Sequence, residues 1–373
     1  MMAKEMSKVY FWNLRSSKKA PPELKLKRLL KAAKLGAYLK SQDLVAVKVH
    51  FGEQGGTGFI SPLRLLPVLD YVRKCGAKPF LTDTNTLYSG HRGESVSHAK
   101  LAARHGFDPN VLQAPVIIAD GLKSTHELVV PADGQHFQVC YLAGDILAAD
   151  FLLNISHFKG HALTGYGGSL KNLGMGCATR KGKMQQHCDL GPKLNPEHCQ
   201  GCGLCIEQCA PQALFWDARG KISLQSSLCT GCAACIAVCK SGALHVDWQT
   251  DLKAFQEKLA EYAAAVLKEK ESAALHINFV LNVSPECDCL GYSDSPVCPD
   301  IGILAAYDPV ALDQACLDLV DEAPLLGEDR FKQSQEVSSH KFECLFPYVD
   351  IEHLLEYAVQ IGLGNRGYEL IAI

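Results

Sequence analysis

The feature that most constrains this 373-residue chain is a cysteine pattern that occurs twice. The first copy reads CQGCGLCIEQCAPQAL and the second reads CTGCAACIAVCKSGAL. Each cysteine of the first copy recurs 30 residues later, and glycine, isoleucine, alanine and leucine positions keep the same register. The stretch is therefore an internal duplication. Its cysteines are Cys199, Cys202, Cys205 and Cys209 in the first copy, and Cys229, Cys232, Cys235 and Cys239 in the second.

The spacing of these cysteines predicts two 4Fe-4S clusters. A CxxCxxCxxxC run holds three thiolates on one loop, and in a duplicated pair its fourth thiolate ligates the other cluster. Cys239 is therefore expected to join the first three cysteines of the first copy, and Cys209 to join the first three of the second. The alternative is a pair of four-cysteine zinc sites, since zinc also binds thiolates at this spacing. The stretch resembles a bacterial two-cluster ferredoxin, although Ala210 and Lys240 stand where a proline usually follows the fourth cysteine.

The composition bounds the class of protein. With 47% hydrophobic residues the chain can bury a full core and form more than one domain. A net charge of -3, without a long run of one sign, argues against nucleic acid and anionic membranes as partners. The sequence shows neither a secretory signal nor an apolar run of membrane-spanning length. Its 17 cysteines are therefore expected to be reduced, which predicts a cytoplasmic protein, and exposed clusters would suit an anaerobe.

The rest of the sequence has the pattern of an α/β fold. Short apolar runs at 44–50, 78–83, 151–156 and 275–284 predict strands, and they alternate with amphipathic helical patterns. This alternation predicts a mostly parallel sheet with helices on both faces. Because the pattern resumes after the cysteine repeat, the repeat is expected to be an inserted α+β ferredoxin-like domain. The predicted division is an α/β domain in two parts, 1–190 and 249–373, with the insert at 191–248.

Polar side chains follow each of the four predicted strands. Ligands of an open parallel sheet bind outside the carboxyl ends of its strands, so a common site is expected there. The candidate catalytic residues are His50, Asp83, His157, Lys159, His161 and Lys171. The histidines and lysines would supply protons or orient an anionic substrate, and Lys159, Lys171, Arg180 and Lys183 would stabilise negative charge. Alternatively, Asp83 builds a turn, and the glycine-flanked His157 and His161 bind substrate or satisfy backbone groups.

The loop after the fourth strand contains the run Cys287-Asp288-Cys289. Two thiols that are two residues apart in an extended segment point to the same side, and Cys298 or a carboxylate could complete a metal site with them. Together with His157 and His161 the set suits a transition metal or a further iron-sulfur centre. Two other interpretations stay open: a redox-active or nucleophilic thiol pair, and cysteines that are simply small buried hydrophobes.

Five segments resemble the iron-sulfur family known as domain of unknown function 362, in the form with a ferredoxin insert. They are VKVHFGEQGGTGFISP, LTDTNTLY, HFKGHALTGYGGSLKNLGMGCATRKGK, NVSPECDC and DPVALD, and the likeness extends from about residue 45 to 320. The resemblance implies an α/β domain with a cluster pair. It implies no particular reaction.

The leading hypothesis is an iron-sulfur oxidoreductase. An external ferredoxin-type or flavodoxin-type carrier would reduce the cluster pair, and low-potential electrons would reach a small-molecule substrate or a third metal centre among the four loops. The alternative is an electron-transfer or metallocentre-assembly protein that docks a partner enzyme and has no substrate of its own. A regulatory redox sensor is a third option, but the sequence has no DNA-binding feature that would support it. The sequence does not define an oligomeric state.

Overall fold

A large mixed sheet forms the centre of the fold. The computed structural model describes residues 6–188, 191–246, 251–271, 273–327 and 340–373. In spatial order the sheet contains β16 (Tyr368–Ala372), β1 (Ser7–Trp12), β15 (Gly302–Ala306), β14 (Ala274–Val280), β7 (Phe151–His157), β2 (Leu44–Lys48), β3 (Lys78–Asp83) and β4 (Val116–Ile118). Only β15 is antiparallel to its neighbours, β1 and β14, and the other neighbouring pairs are parallel. The predicted mostly parallel α/β architecture is therefore confirmed.

Helices cover both faces of this sheet. Within β2, Ala46 packs into one hydrophobic core, whereas Val45 and Val47 pack into the other. Burial on both faces explains the continuous apolar runs in the sequence. One face is covered by α1 (Pro22–Ala32), α2 (Leu66–Lys74) and α3 (Ser95–Arg104), and the other by α6 (Ser169–Gly174), α10 (Leu252–Lys270), α11 (Pro309–Glu322) and α13 (His353–Gln360).

The remaining elements are short. The described helices also include α4 (Pro109–Leu112), α5 (Gly144–Ala148), α7 (Arg180–His187), α8 (Leu204–Glu207), α9 (Ala234–Val238) and α12 (Lys341–Leu345). Outside the large sheet, strands pair antiparallel as β5 (Glu127–Pro131) with β6 (Val139–Ala143), β8 (Lys159–His161) with β9 (Gly165–Gly167), β10 (Lys193–Leu194) with β13 (Leu244–His245), and β11 (Leu214–Trp216) with β12 (Ile222–Leu224). No described helix has the length and apolar character that crossing a bilayer requires.

Local sequence explains where several elements begin and end. Asp308 caps α11 by accepting hydrogen bonds from the backbone N–H groups of Val310 (2.9 Å) and Ala311 (3.1 Å). Helix α1 ends at Ala32, and Lys34 two residues later adopts a left-handed backbone with φ of 56°, which does not continue the helix. Strand β14 stops at Val280 rather than at 284, and Asn282 two residues later is also left-handed, with φ of 47°.

The cysteine repeat forms a small hydrophobic core of its own. Leu214 and Ile222 pack there with Ile236 and Leu244, which come from the second copy. The chain leaves the large sheet after β7 and returns to it at β14, which pairs directly with β7. The predicted boundary at 190/191 adjoins residues outside the described part, and the boundary at 248/249 falls wholly outside it. The division into three segments stays a prediction.

Candidate functional site

A crevice of about 150 Å³ lies at the carboxyl ends of strands β2, β3 and β7. These strands are parallel neighbours, so the polar residues that follow them meet at one edge of the sheet. The structure brings all six predicted catalytic residues to the lining of this crevice: His50, Asp83, His157, Lys159, His161 and Lys171.

A possible metal site lies at this crevice. One ligand atom each from His161, Cys287 and Cys289 lies within 4.8 Å of the other two. Cys287 and Cys289 come from the loop after β14, and His161 ends the short strand β8. Two cysteine sulfurs and one imidazole nitrogen suit zinc, iron or copper, and three protein ligands leave a coordination position open.

Hydrogen bonding prepares His161 to be a ligand. Its Nδ1 lies 2.8 Å from the Thr164 hydroxyl, and that hydroxyl donates its proton to the carbonyl of Tyr166 at 2.6 Å. The backbone N–H of Leu163 also donates to Nδ1, at 3.3 Å. Both contacts engage Nδ1, so Nε2 is the ring nitrogen that could bind a metal. Burial and nearby Lys171 hold the pKa of His161 well below its ordinary value, so the imidazole is neutral, as a metal ligand must be.

Cys287 and Cys289 share one proton. The hydrogen bond between the thiols, assisted by Lys171, holds the pKa of Cys287 well below that of a free thiol although the side chain is buried. The same hydrogen bond and burial raise the pKa of Cys289 well above its ordinary value. Lys171 Nζ lies 3.1 Å from Cys287 Sγ. The pair therefore consists of a Cys287 thiolate and a Cys289 thiol, and metal binding would release the remaining proton.

Asp288 orients the surrounding polar residues. Its Oδ1 lies 2.8 Å from His157 Nδ1, and its Oδ2 lies 3.4 Å from Lys159 Nζ. Burial would raise the pKa of Asp288, but His157 and Lys159 outweigh it and hold that pKa well below its usual range. His157 Nε2 donates to the carbonyl of Leu281 at 2.8 Å. Because both ring nitrogens of His157 are engaged, this histidine has no nitrogen left for a metal.

A second buried network lies at the ends of β2 and β3. Lys48 Nζ lies 3.0 Å from Asp83 Oδ1, and Arg92 Nε lies 3.0 Å from Glu53 Oε2. Burial would raise the pKa of Asp83, but Lys48, assisted by Arg92, holds it well below the usual range. Burial and Arg92 lower the pKa of His50 well below its ordinary value, so His50 is neutral.

The structure keeps Cys298 away from this site. Its side chain is fully buried in the hydrophobic core, and burial raises its pKa to about 11. Cys298 does not belong to the group formed by His161, Cys287 and Cys289. The sequence suggested that the loop could return to bring this third thiol to the site, but its fold directs Cys298 into the core instead.

The cysteines of the repeat surround two separate cavities. Cys199, Cys202, Cys205 and Cys239 line one cavity, and Cys209, Cys229, Cys232 and Cys235 line the other. These are the two crossed sets that the spacing predicts. Backbone N–H groups of Ala213 and Leu244 donate to the sulfurs of Cys209 (3.2 Å) and Cys239 (3.3 Å). Four thiols around one cavity fit a 4Fe-4S cluster or a zinc ion, and amide donors to sulfur are among the features that tune clusters.

The repeat and the crevice share a side chain. Leu87 lines the crevice and also packs into the core of the repeat, together with Met184, Cys199 and Cys205. Arg180 lies close enough to Cys232 for that thiol to act on its pKa, although burial dominates and lowers the pKa of Arg180. The two regions are therefore in direct contact.

Residues 45–318 match the family model described as domain of unknown function (DUF362). The chain belongs to this family. The family match includes both the crevice and the cysteine repeat, and a comparison with curated proteins finds no significant match.

Among solved structures, the chain is similar to the lactate racemase apoprotein from Thermoanaerobacterium thermosaccharolyticum. The sequences are 12% identical, the TM-score is 0.38, and the alignment covers 74% of this chain and 51% of that protein. This member of the DUF362 family therefore spans about half the length of the racemase. At this level of similarity, nothing about the activity of the racemase can be assigned to this chain.

Sequence reasoning missed two contributors to the site of this DUF362 protein. The Thr164 hydroxyl contacts His161 Nδ1, and Ser156 lines the crevice with a hydroxyl that has no hydrogen-bond partner among the described residues. Asp288, which the sequence placed in the loop after the fourth strand, orients His157. Ser156 adjoins the predicted site residue His157, so position alone could have suggested it. No sequence signal distinguishes Thr164 from other loop threonines.

Proposed function

We propose that the protein is an oxidoreductase that binds two 4Fe-4S clusters at its cysteine repeat and a third metal centre at His161, Cys287 and Cys289. An external ferredoxin-type or flavodoxin-type carrier is its electron donor, and a small molecule in the crevice is its substrate. When bound, the clusters supply one-electron transfer at low potential. The observation that carries the proposal is the convergence of three ligand atoms within 4.8 Å in a crevice that adjoins the repeat.

The arrangement of the repeat favours clusters over zinc. The fourth cysteine of each copy lies with the first three of the other copy. This exchange is the ligation pattern of duplicated cluster-binding sequences. Leu87 brings the core of the repeat to the wall of the crevice, which supports electron delivery to that site.

The residues of the crevice have distinct proposed roles. Lys171 stabilises the Cys287 thiolate, and Thr164 holds His161 through Nδ1 so that Nε2 is available to the metal. Asp288 keeps His157 and Lys159 in place, and the Lys159 ammonium is a proton donor and a countercharge for a reduced substrate. An assembly or carrier protein needs no substrate cavity, so the lined crevice favours the enzyme.

Metal analysis of protein purified without oxygen tests the proposal. Two clusters correspond to about eight irons and eight sulfides per chain. We expect a further metal equivalent that is lost in the double variant Cys287→Ser/Cys289→Ser. Cys298→Ser is the matched control, because this buried cysteine lies apart from the site, and it should retain the full metal content.

Two outcomes would contradict the proposal. Zinc in place of iron and sulfide at the repeat would exclude electron transfer through it. Unchanged metal content and unchanged electron paramagnetic resonance spectra in the double variant would exclude the third centre, and with it the assigned site of reduction.

A further inference from the structure

We infer that the crevice binds a small organic carboxylate, with Lys183 and Ser156 as donors to its anionic group. The inference deepens the proposed function, on which it rests for taking the crevice as the substrate site. Four observations support it. Lys183 has no close carboxylate, the Ser156 hydroxyl has no hydrogen-bond partner among the described residues, the crevice is small, and the backbone N–H groups named below at the starts of α6 and α7 already have acceptors.

One buried lysine of the crevice lacks a close carboxylate. Lys48, Arg92 and Lys159 each have a carboxylate within 4.0 Å, namely Asp83, Glu53 and Asp288. Lys183 is also buried and lines the crevice, but no described carboxylate lies within 4.0 Å of its Nζ. Asp120 and Asp83 act on Lys183 only from a greater distance. An anionic ligand in the crevice would give this buried ammonium a close counterion.

One N–H group of the Lys183 ammonium remains available to a ligand. Its Nζ donates to the Thr84 hydroxyl at 2.5 Å and to the carbonyl of Ala178 at 2.6 Å. An ammonium carries three protons, so one remains for a ligand. The two existing bonds hold the Lys183 head group in place before any ligand arrives, which reduces the entropy lost on binding.

Ser156 supplies the second donor. Its side chain is 3% exposed and lines the crevice, yet its Oγ has no hydrogen-bond partner among the described residues. Leaving a buried hydroxyl unsatisfied costs free energy that a ligand oxygen would recover. Asp83 also lines the crevice; Lys48 lies 3.0 Å from its Oδ1 and compensates its charge, while its Oδ2 has no hydrogen-bond partner among the described residues.

The size of the crevice limits the part of a ligand that it can enclose. Its volume of about 150 Å³ is comparable to that of an engineered protein cavity that holds one benzene molecule. The crevice therefore has room for a group of roughly six to ten non-hydrogen atoms.

The neighbouring helix ends favour a carboxylate over a phosphate. Phosphates usually bind the free backbone N–H groups at a helix N-terminus. At the start of α6 the N–H groups of Ser169 and Leu170 already donate to Asp313, at 2.7 and 2.9 Å. At the start of α7 the N–H groups of Arg180 and Gly182 donate to the hydroxyls of Ser124 and Thr179. Two side-chain donors match the two oxygens of a carboxylate instead.

Isothermal titration calorimetry on the full-length protein, purified without oxygen, tests the inference. Acetate, glycolate, malonate and benzoate are the probes, with inorganic phosphate and sulfate in parallel at constant ionic strength. We expect saturable one-to-one binding of at least one carboxylate. Lys183→Met should weaken that binding by about tenfold to a hundredfold, and Ser156→Ala by about threefold to tenfold, because each removes a donor to the bound anion.

Lys100→Met is the matched control, since this lysine lies exposed on α3, and it should leave the affinity unchanged. The inference fails if no carboxylate binds, if Lys183→Met binds as tightly as the original protein, or if phosphate or sulfate binds more tightly than every carboxylate. Should Lys183→Met prove unfolded by circular dichroism, Ser156→Ala decides: undiminished affinity overturns the inference. No electron donor is present, so the result is independent of the iron and sulfide analysis.

Discussion

Lys171 Nζ lies 3.1 Å from Cys287 Sγ, and this contact joins helix α6 to the loop after β14. Burial would lower the pKa of Lys171, but the Cys287 thiolate outweighs it and raises that pKa. Each group therefore favours the charged form of the other. The pair holds a thiolate ready for metal binding without an external base.

Removing the Lys171 charge should make Cys287 less reactive. An opposite charge at this distance lowers a pKa by about 1–3, so Lys171→Met should raise the pKa of Cys287 by that amount. We expect its alkylation by iodoacetamide at pH 7, after chelation of the metal, to slow by about tenfold or more. Lys100→Met should alkylate at the original rate. An unchanged rate in Lys171→Met would show that Cys289 alone stabilises the thiolate.

The Thr164 hydroxyl should matter for metal affinity, although it is not itself a ligand. Thr164→Val keeps the shape of the side chain but removes the group that fixes His161 Nδ1. Loss of such a partner typically weakens metal binding by about 10-fold to 100-fold. Competition with a chromophoric chelator measures the change, and Thr164→Ser, which keeps the hydroxyl, should bind nearly as well as the original protein. Equal affinities of the Val and Ser variants would show that the Thr164 hydroxyl does not position His161 for the metal.

Asp288 should contribute to stability in a pH-dependent way. Its pKa in the folded protein is held below the value of about 3.9 in the unfolded chain. The resulting stabilisation is therefore fully present above that value and is lost as the pH falls below it. Asp288→Asn leaves His157 and Lys159 without their buried carboxylate and should cost about 3–5 kcal/mol at pH 7.

Urea denaturation at pH 7 and pH 3 measures the effect of Asp288→Asn. The difference in free energy of unfolding from the original protein should shrink at the lower pH. The exposed Asp133→Asn is the control, and it should change the free energy of unfolding by about 0.5 kcal/mol or less. A difference for Asp288→Asn that does not depend on pH would argue against an ionised Asp288.

Crossed ligation predicts which cysteine substitutions act alike. Cys209 belongs to the first copy of the repeat but lies with Cys229, Cys232 and Cys235 of the second. Cys209→Ser and Cys235→Ser should therefore alter the same cluster signal in electron paramagnetic resonance, whereas Cys239→Ser should alter the other. If Cys209→Ser instead altered the same signal as Cys199→Ser, each copy would hold its own cluster.

The edge of the sheet where the crevice lies could be predicted from the sequence, because it follows from the parallel arrangement of the strands alone. Parallel strands end at the same side, so the residues after β2, β3 and β7 had to converge, and His50, Asp83 and His157 do so. The two crossed sets of cysteines could also be predicted, since an offset of 30 residues relates the two copies of the repeat.

Other features of the site depend on contacts between residues that are far apart in the chain, so the sequence did not predict them. Nothing local shows that Asp288 and the carbonyl of Leu281 occupy both nitrogens of His157, because Asp288 lies 131 residues away in the chain. The spacing within the CDC loop likewise does not reveal that Cys298 enters the core. Between β4 and β7, the strands β5 and β6 pair with each other outside the large sheet, which no local pattern in the sequence predicted.

Leu87 lines the crevice and is also part of the hydrophobic core that contains Cys199 and Cys205. A rearrangement of the cysteine loops would therefore displace the same leucine that borders the crevice. The rigidity of that wall depends on how firmly the repeat is packed, so removing the metal that we propose for the repeat should loosen the crevice even where none of its polar residues has changed.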